Sequence, residues 1–203
     1  MKETVEVILG NLKKRNIDAQ YFVTKEEAHA AILNEIQLTD TVGIGGSMTI
    51  KELNLHEALI ERGNSVFWHW LVAPEDRESQ RKSAALADVY LSSTNAITKD
   101  GELINIDGLG NRVSAMVYGP KKSIVVCGVN KICDDLISGI DRIKTEACPS
   151  NAKRLGLKTP CAKTDHCNDC FSEDRMCNVT TIINNKPMGI DLKVYLVEET
   201  LGY

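Results

Sequence analysis

The sequence lacks any excess of positive charge: 24 Lys and Arg stand against 28 Asp and Glu, a formal net charge of −4. The basic residues are scattered, with no patch beyond pairs such as Lys13-Lys14 and Lys121-Lys122. That argues against nucleic acid or an anionic membrane surface as the main partner. A long apolar run is also missing. The N-terminal stretch MKETVEVILGNLKKRN is broken by Glu3, Glu6 and Lys13, which speaks against a signal peptide, and no later segment approaches a membrane span. The expectation is a cytoplasmic protein with reduced thiols. With no internal repeat, low-complexity tract or Pro/Ser-rich linker, the chain reads as one domain over residues 1–203. Its seven cysteines are an odd number, which disfavours a closed disulfide framework.

What is present is an alternation of helical and strand patterns. Val5, Ile8, Leu9 and Leu12 share one face of a helix over 3–15, and IDAQYFV reads as a strand. Thr24 and Glu27 have capping-box spacing for a helix through Ile36. TVGIGG is a short strand running into glycines, and Ser47 caps a third helix ending near Gly63. SVFWHW, DVYLSSTNAIT, ELINID and SIVVCGV read as strands, with PEDRESQRKSAALA helical between the first two. A helical pattern spans Asp134 to Arg154, kinked or divided at Pro149. TTIIN and KVYLVEE close the chain as strands. Apolar strands alternating with helices predict an α/β fold with a mostly parallel sheet covered on both faces. The cysteine-rich segment, about 148–178, is an excursion from it.

Two polar concentrations suggest a ligand site. Gly45, Gly46 and Ser47 lie where a strand ends and a helix begins, a place where backbone N–H groups can meet an anion. The pattern is neither a dinucleotide fingerprint nor a Walker loop. Downstream, Asn95, Asn111 and Arg112 stand among glycines, and an arginine there suits a carboxylate or phosphate. Asp100-Gly101 reads as a hairpin turn and little more. No catalytic constellation stands out. His29 is read as solvated and His69 as a core or half-buried residue; His56, one helix after the glycine turn, could reach a ligand, and Lys51 and Glu52 suit either acid–base chemistry or an exposed helix surface.

CAKTDHCNDCFSEDRMC holds Cys161, Cys167, Cys170 and Cys177 in polar sequence with few large apolar side chains. One C-x2-C pair flanked by two single cysteines suits a [4Fe–4S] cluster or a zinc ion, with reduced thiols or a redox pair as the remaining reading. A bound metal would supply the order that packing does not. Cys148 and His166 are outside candidates. Cys127 and Cys133, in or beside an apolar strand, are assigned no chemistry.

Three segments, TVGIGGSMTIKEL, DGELINIDGLGNRVSAMVYGPKKSIVVCGVNKI and TPCAKTDHCNDCFSEDRMCNVTTII, resemble the LUD-domain family of lactate-utilisation proteins, over about residues 5–200. The resemblance implies the three-layer α/β/α sandwich of the glucosamine-phosphate deaminase, ribose-phosphate isomerase and CoA transferase superfamily. It also implies that Gly45, Gly46 and Ser47 match that superfamily's phosphate- or carboxylate-binding turn. The family's association is oxidation of L-lactate to pyruvate beside iron–sulfur subunits. This chain departs by carrying its own cysteine segment, as a stand-alone branch, and no catalytic residue is carried over. The leading expectation is a protein of small hydroxy- or keto-acid metabolism, with an anionic metabolite, a redox protein and a second copy of itself as candidate partners. The alternatives are a sugar-phosphate isomerase- or transferase-like enzyme with structural zinc, and a non-enzymatic ligand or redox sensor.

Overall fold

The computed structural model describes residues 2–203. α1 (Lys2–Lys14) buries Val5, Ile8 and Leu12 along one stripe, as its periodicity predicts. β1 (Asp18–Phe22) follows, and α2 (Lys25–Glu35) opens on the expected capping box. There the Thr24 hydroxyl accepts from Glu27 N at 3.2 Å, and the Glu27 carboxylate accepts from Thr24 N at 3.4 Å. β2 (Val42–Ile44) runs into the glycine turn. The helix expected from Ser47 to Gly63 is divided into α3 (Met48–Glu52) and α4 (Leu55–Arg62). The break falls at Asn54, whose φ of 52° is left-handed, a conformation Asn tolerates better than most residues.

β3 (Val66–Trp68) is shorter than SVFWHW suggests, because the chain turns out of the sheet at His69 and Trp70. α5 (Arg77–Ala85) is entered through a 3-10 turn at Pro74–Asp76. DVYLSSTNAIT is two strands and not one. β4 (Val89–Ser93) belongs to the main sheet and β5 (Ala96–Thr98) to a second, where it forms a hairpin with β6 (Leu103–Asp107). The hairpin turns at Asp100-Gly101 as predicted, with Gly101 at φ 90°. α6 (Asn111–Val117), which the glycine-rich sequence hides, precedes β7 (Lys122–Gly128) and the short β8 (Ile132–Cys133).

α7 (Leu136–Arg142) continues through a π turn at Ile143–Ala147 into α8 (Cys148–Leu155). Proline offers no N–H and its ring would meet the carbonyl four residues back. The helix absorbs Pro149 by widening: Cys148 N donates to Ile143 O, five residues back. α9 (Pro160–Thr164), β9 (Val179–Ile183) and β10 (Asp191–Val197) complete the described chain.

The main sheet has the order β1-β10-β7-β4-β2-β3, every neighbouring pair parallel. Alternate residues of each strand face opposite layers. Ile124, Val126, Leu91 and Tyr195 pack under α2, α3 and α4, whereas Val125, Cys127, Tyr90 and Val194 pack under α1, α5 and α6. This is the three-layer α/β/α sandwich. Each fully buried Ile, Leu or Val in it contributes about 1.5–3 kcal/mol. The second sheet, β8-β5-β6-β9, sends Ile97, Leu103 and Ile183 into the main core, and Ala96 and Ile104 toward Ile143, Ala147 and Cys148. Among the described residues no helix is long and apolar enough to cross a membrane.

Candidate functional site

After β2 the chain enters α3 on one face of the main sheet, and after β4 it passes by way of the second sheet to α6 on the other. The carboxyl ends of these neighbouring strands therefore diverge and leave a crevice between them. A cleft of about 290 Å³ opens there. Of the expected ligand residues, Gly46, Ser47, Asn95, Asn111 and Arg112 line it. Gly45 lies behind: a Cβ on it would meet Tyr90 Oη at 2.9 Å and Arg112 Cγ at 3.2 Å, so glycine lets Arg112 pack against the turn.

Ser47 caps α3, its Oγ accepting from Ile50 N at 3.2 Å. α3 has only five residues, so its dipole is a weaker anion attractant than the long predicted helix would supply. Side chains carry the charge instead. Arg81, Arg112, Lys131 and Arg154 line the cleft against one carboxylate, Asp107. His69 lines it too, half-buried and beside Gly46, and burial together with Arg81, Arg77 and Arg154 lowers its pKa to about 4.

Arg112 is not the open fork the sequence suggests. Nη1 donates to Ser93 O at 2.9 Å and Asn105 Oδ1 at 2.7 Å, Nη2 to Asn95 Oδ1 and Ile106 O at 3.0 Å each, and Nε lies 3.2 Å from Asp107 Oδ2. All five donors are thus answered within the protein. The other Asp107 oxygen accepts from Leu109 N and Gly110 N, at 3.2 and 2.9 Å, forming the loop that starts α6. Arg112 borders the cleft as a fixed positive charge that ties β4, the turn after it and β6 together.

The cysteines line a second cavity, of about 140 Å³. Cys161, Cys167, Cys170 and Cys177 all border it, and Cys148, from the first turn of α8, is a fifth. The sulfurs of Cys148 and Cys177 are 3.4 Å apart. Their hydrogen bond splits the pair: it lowers the Cys177 thiol pKa, aided by Arg175 and Lys144, and raises that of Cys148, which burial raises further. Asp169 N donates to Cys167 Sγ at 3.4 Å. Arg175 closes the loop, donating to the carbonyls of Cys170 and Cys177 and pairing with Asp169 at 3.0 Å. Among the described residues no group of three or more His, Cys, Asp or Glu is set to hold a single metal ion. His166 is exposed and does not border the chamber. Cys127 is fully buried in the core, which raises its pKa to about 11 and leaves it a small apolar side chain, as read.

The two cavities adjoin. Ile106, Cys148 and Met176 line both. Met176 lies against Gly108, where a Cβ would come within 3.3 Å of its carbonyl oxygen, and Asn178 donates to the carbonyls of Asp107 and Gly108 at 3.1 Å each. The cysteine loop is thereby docked on the strand that carries the Arg112 network. Sequence reasoning had not brought Lys131, His69, Arg81 or Arg154 to the cleft. Lys131, a lone cation following an all-apolar strand, carried a usable signal; Arg81 and Arg154 carried none. His29 and His56 lie away from the cleft lining, His29 with its Nδ1 2.7 Å from Leu53 O and His56 edge-on to Trp68.

A parallel α/β/α sandwich with a cationic cleft at its strand ends and a thiol-lined chamber beside it defines the class. The chain belongs to the LUD-domain family, whose model matches residues 5–197. A crystal structure of a DUF162 family protein from Deinococcus radiodurans superposes with a TM-score of 0.58 at 14% identity, covering 97% of each chain, and so shares the fold. Among curated proteins nothing matches.

Proposed function

We propose that this protein binds a small hydroxy or oxo acid as its anion and is an oxidoreductase component of lactate-type metabolism, with a [4Fe–4S] cluster held by Cys161, Cys167, Cys170 and Cys177. The observation that carries the reading is the common wall: Ile106, Cys148 and Met176 separate the acid cleft from the thiol chamber. The chamber suits the group chemically. Five cysteine sulfurs border it against the single carboxylate of Asp169, which Arg175 pairs, and Arg175 and Lys144 also border it, cations that offset the negative charge of four thiolates. Such a cluster, when bound, exchanges single electrons.

The chain's own residues explain the acid. The cleft's volume is at the low end for ligand sites, which fits a metabolite of a few carbons. Arg81 and Arg154 at its rim and Lys131 within draw in an anion, while neutral His69 can share a hydrogen bond with it. Arg112 is a positioning residue. Its donors hold Asn95, Asn105 and Asp107, so the rim's shape is set by contacts within the protein.

Protein purified without oxygen is expected to be brown, with about four irons and four sulfides per chain, and to lose iron when Cys167 and Cys170 are both replaced by serine. A colourless protein carrying one zinc per chain, or no metal at all, overturns the cluster. Calorimetry with pyruvate and with lactate tests the acid site separately, and absence of binding by either overturns it.

A further inference from the structure

Lys131 is 3% exposed, yet its nitrogen is paired with hydroxyls and no carboxylate. Nζ lies 2.9 Å from Thr49 Oγ1 and 2.9 Å from Ser93 Oγ. Each hydroxyl directs its own hydrogen elsewhere, Thr49 to Leu201 O and Ser93 to Thr94 O, both at 3.2 Å. Both therefore accept from the lysine. A neutral amine has two hydrogens and a lone pair. With the hydrogens given to Thr49 and Ser93, the lone pair is left for the cleft that Lys131 lines.

Two further features suit a ligand here. The residue over the nitrogen is Gly202, at φ 62°; a Cβ there would lie 2.7 Å from Thr49 Oγ1 and 3.4 Å from Lys131 Nζ. A side chain there would collide with the Thr49 hydroxyl that holds the amine and would sit against the nitrogen. Ser93 is also anchored, since Arg112 holds its carbonyl at 2.9 Å while its hydroxyl serves Lys131.

We propose that Lys131 is a reactive amine that forms an imine with the carbonyl carbon of a small 2-oxo acid bound in the cleft. The nitrogen lone pair makes the N–C bond as the carbonyl π pair moves to oxygen. That oxygen then leaves as water, taking both amine hydrogens, and C=N remains. The step needs no oxidant or reductant, and the Thr49 and Ser93 hydroxyls already lie on the two hydrogens that must move. Burial brings the reactive form within reach: desolvation lowers Lys131 to about 8, against an opposing pull from Cys127 on β7, with Arg142 of α7 and Arg112 of α6 lowering it further and Glu52 of α3 raising it. The free amine is thus the minor form at neutral pH and grows as pH rises through about 8.

The inference rests on the acid reading of the cleft and is independent of the cluster. The test is incubation of the full-length protein with pyruvate and sodium cyanoborohydride, followed by intact mass measurement and peptide mapping. The expected result is one reduced adduct, at Lys131, suppressed by lactate (which has no carbonyl) and forming faster as pH rises from neutral through about 8. Lys131→Arg should abolish it, and Thr49→Val should slow it severalfold. Wild-type mapping decides the matter even where the variants fold poorly. Pyruvate that binds by calorimetry without labelling Lys131, or that labels surface lysines alike with or without lactate, overturns this inference and leaves the acid site standing. Pyruvate that does not bind overturns both, and Lys131 labelling in a protein without iron overturns only the cluster.

Discussion

The guanidinium of Arg112 holds five oxygens contributed by β4, the turn after it and β6. A lysine has three donors radiating from one point and cannot reach that set. Arg112→Lys is therefore expected to cost on the order of 3 kcal/mol in urea unfolding, because Asp107 and two amide oxygens lose a buried partner. A loss below about 0.5 kcal/mol would mean that the network rearranges freely. At this scale the sequence was partly legible. An arginine beside glycines stood out as a candidate, and it does border the cleft. What was hidden was its company: its partners lie up to 19 residues away, and nothing in local spacing shows that a fork is already filled. The four loop cysteines were legible for the opposite reason. They are close in sequence, and all four border one chamber. Cys148, 29 residues from its sulfur neighbour Cys177, was much harder to place among them.

Among the elements, the start of β2 is tied to the residue before β4 by a carboxylate. Asp88 accepts from Thr41 N at 3.0 Å and Thr41 Oγ1 at 2.7 Å, and pairs with Lys121 at 2.7 Å. The Lys121 hydrogen bond, followed by those of Thr41, holds the Asp88 pKa well below the usual carboxylate range. Because the folded value is depressed, the unfolded chain binds the proton first. The stabilisation is whole above the unfolded value of about 3.9 and disappears as pH falls from there through the folded one. Thermal melts from pH 6 downward should thus show a steep loss below about pH 4, and Asp88→Asn should flatten it while lowering stability at neutral pH. Periodicity revealed α1, the capping box α2, a proline near its start α5, and apolar runs the strands of the main sheet. These local signals failed for α6, with seven residues between two left-handed glycines, and for DVYLSSTNAIT, where the polar run Ser92–Thr94 is itself buried while the chain changes sheets. There hydrogen bonds from Thr94 to Ala96 O and Ile104 O make the turn, and tertiary partners of that kind leave no local trace.

Taken whole, the molecule is acidic, at −4, with its cleft lined by four cations and one carboxylate. A small anion should be guided inward by that contrast, and its affinity should fall as salt rises. Arg81→Gln is expected to weaken pyruvate binding about two- to fivefold, roughly 0.5–1 kcal/mol for a partly exposed charge, without shifting the urea midpoint. Equal affinity at low and high ionic strength would argue that shape and not charge selects the ligand. The placement of Cys148, finally, depends on a single residue of surplus. In an ordinary helix each residue advances about 100° around the axis, and the π turn at Ile143–Ala147 inserts one such step just before that cysteine. Deleting one residue there would restore the regular winding and swing the sulfur away from the partition, leaving Ile106 and Met176 to divide the two compartments.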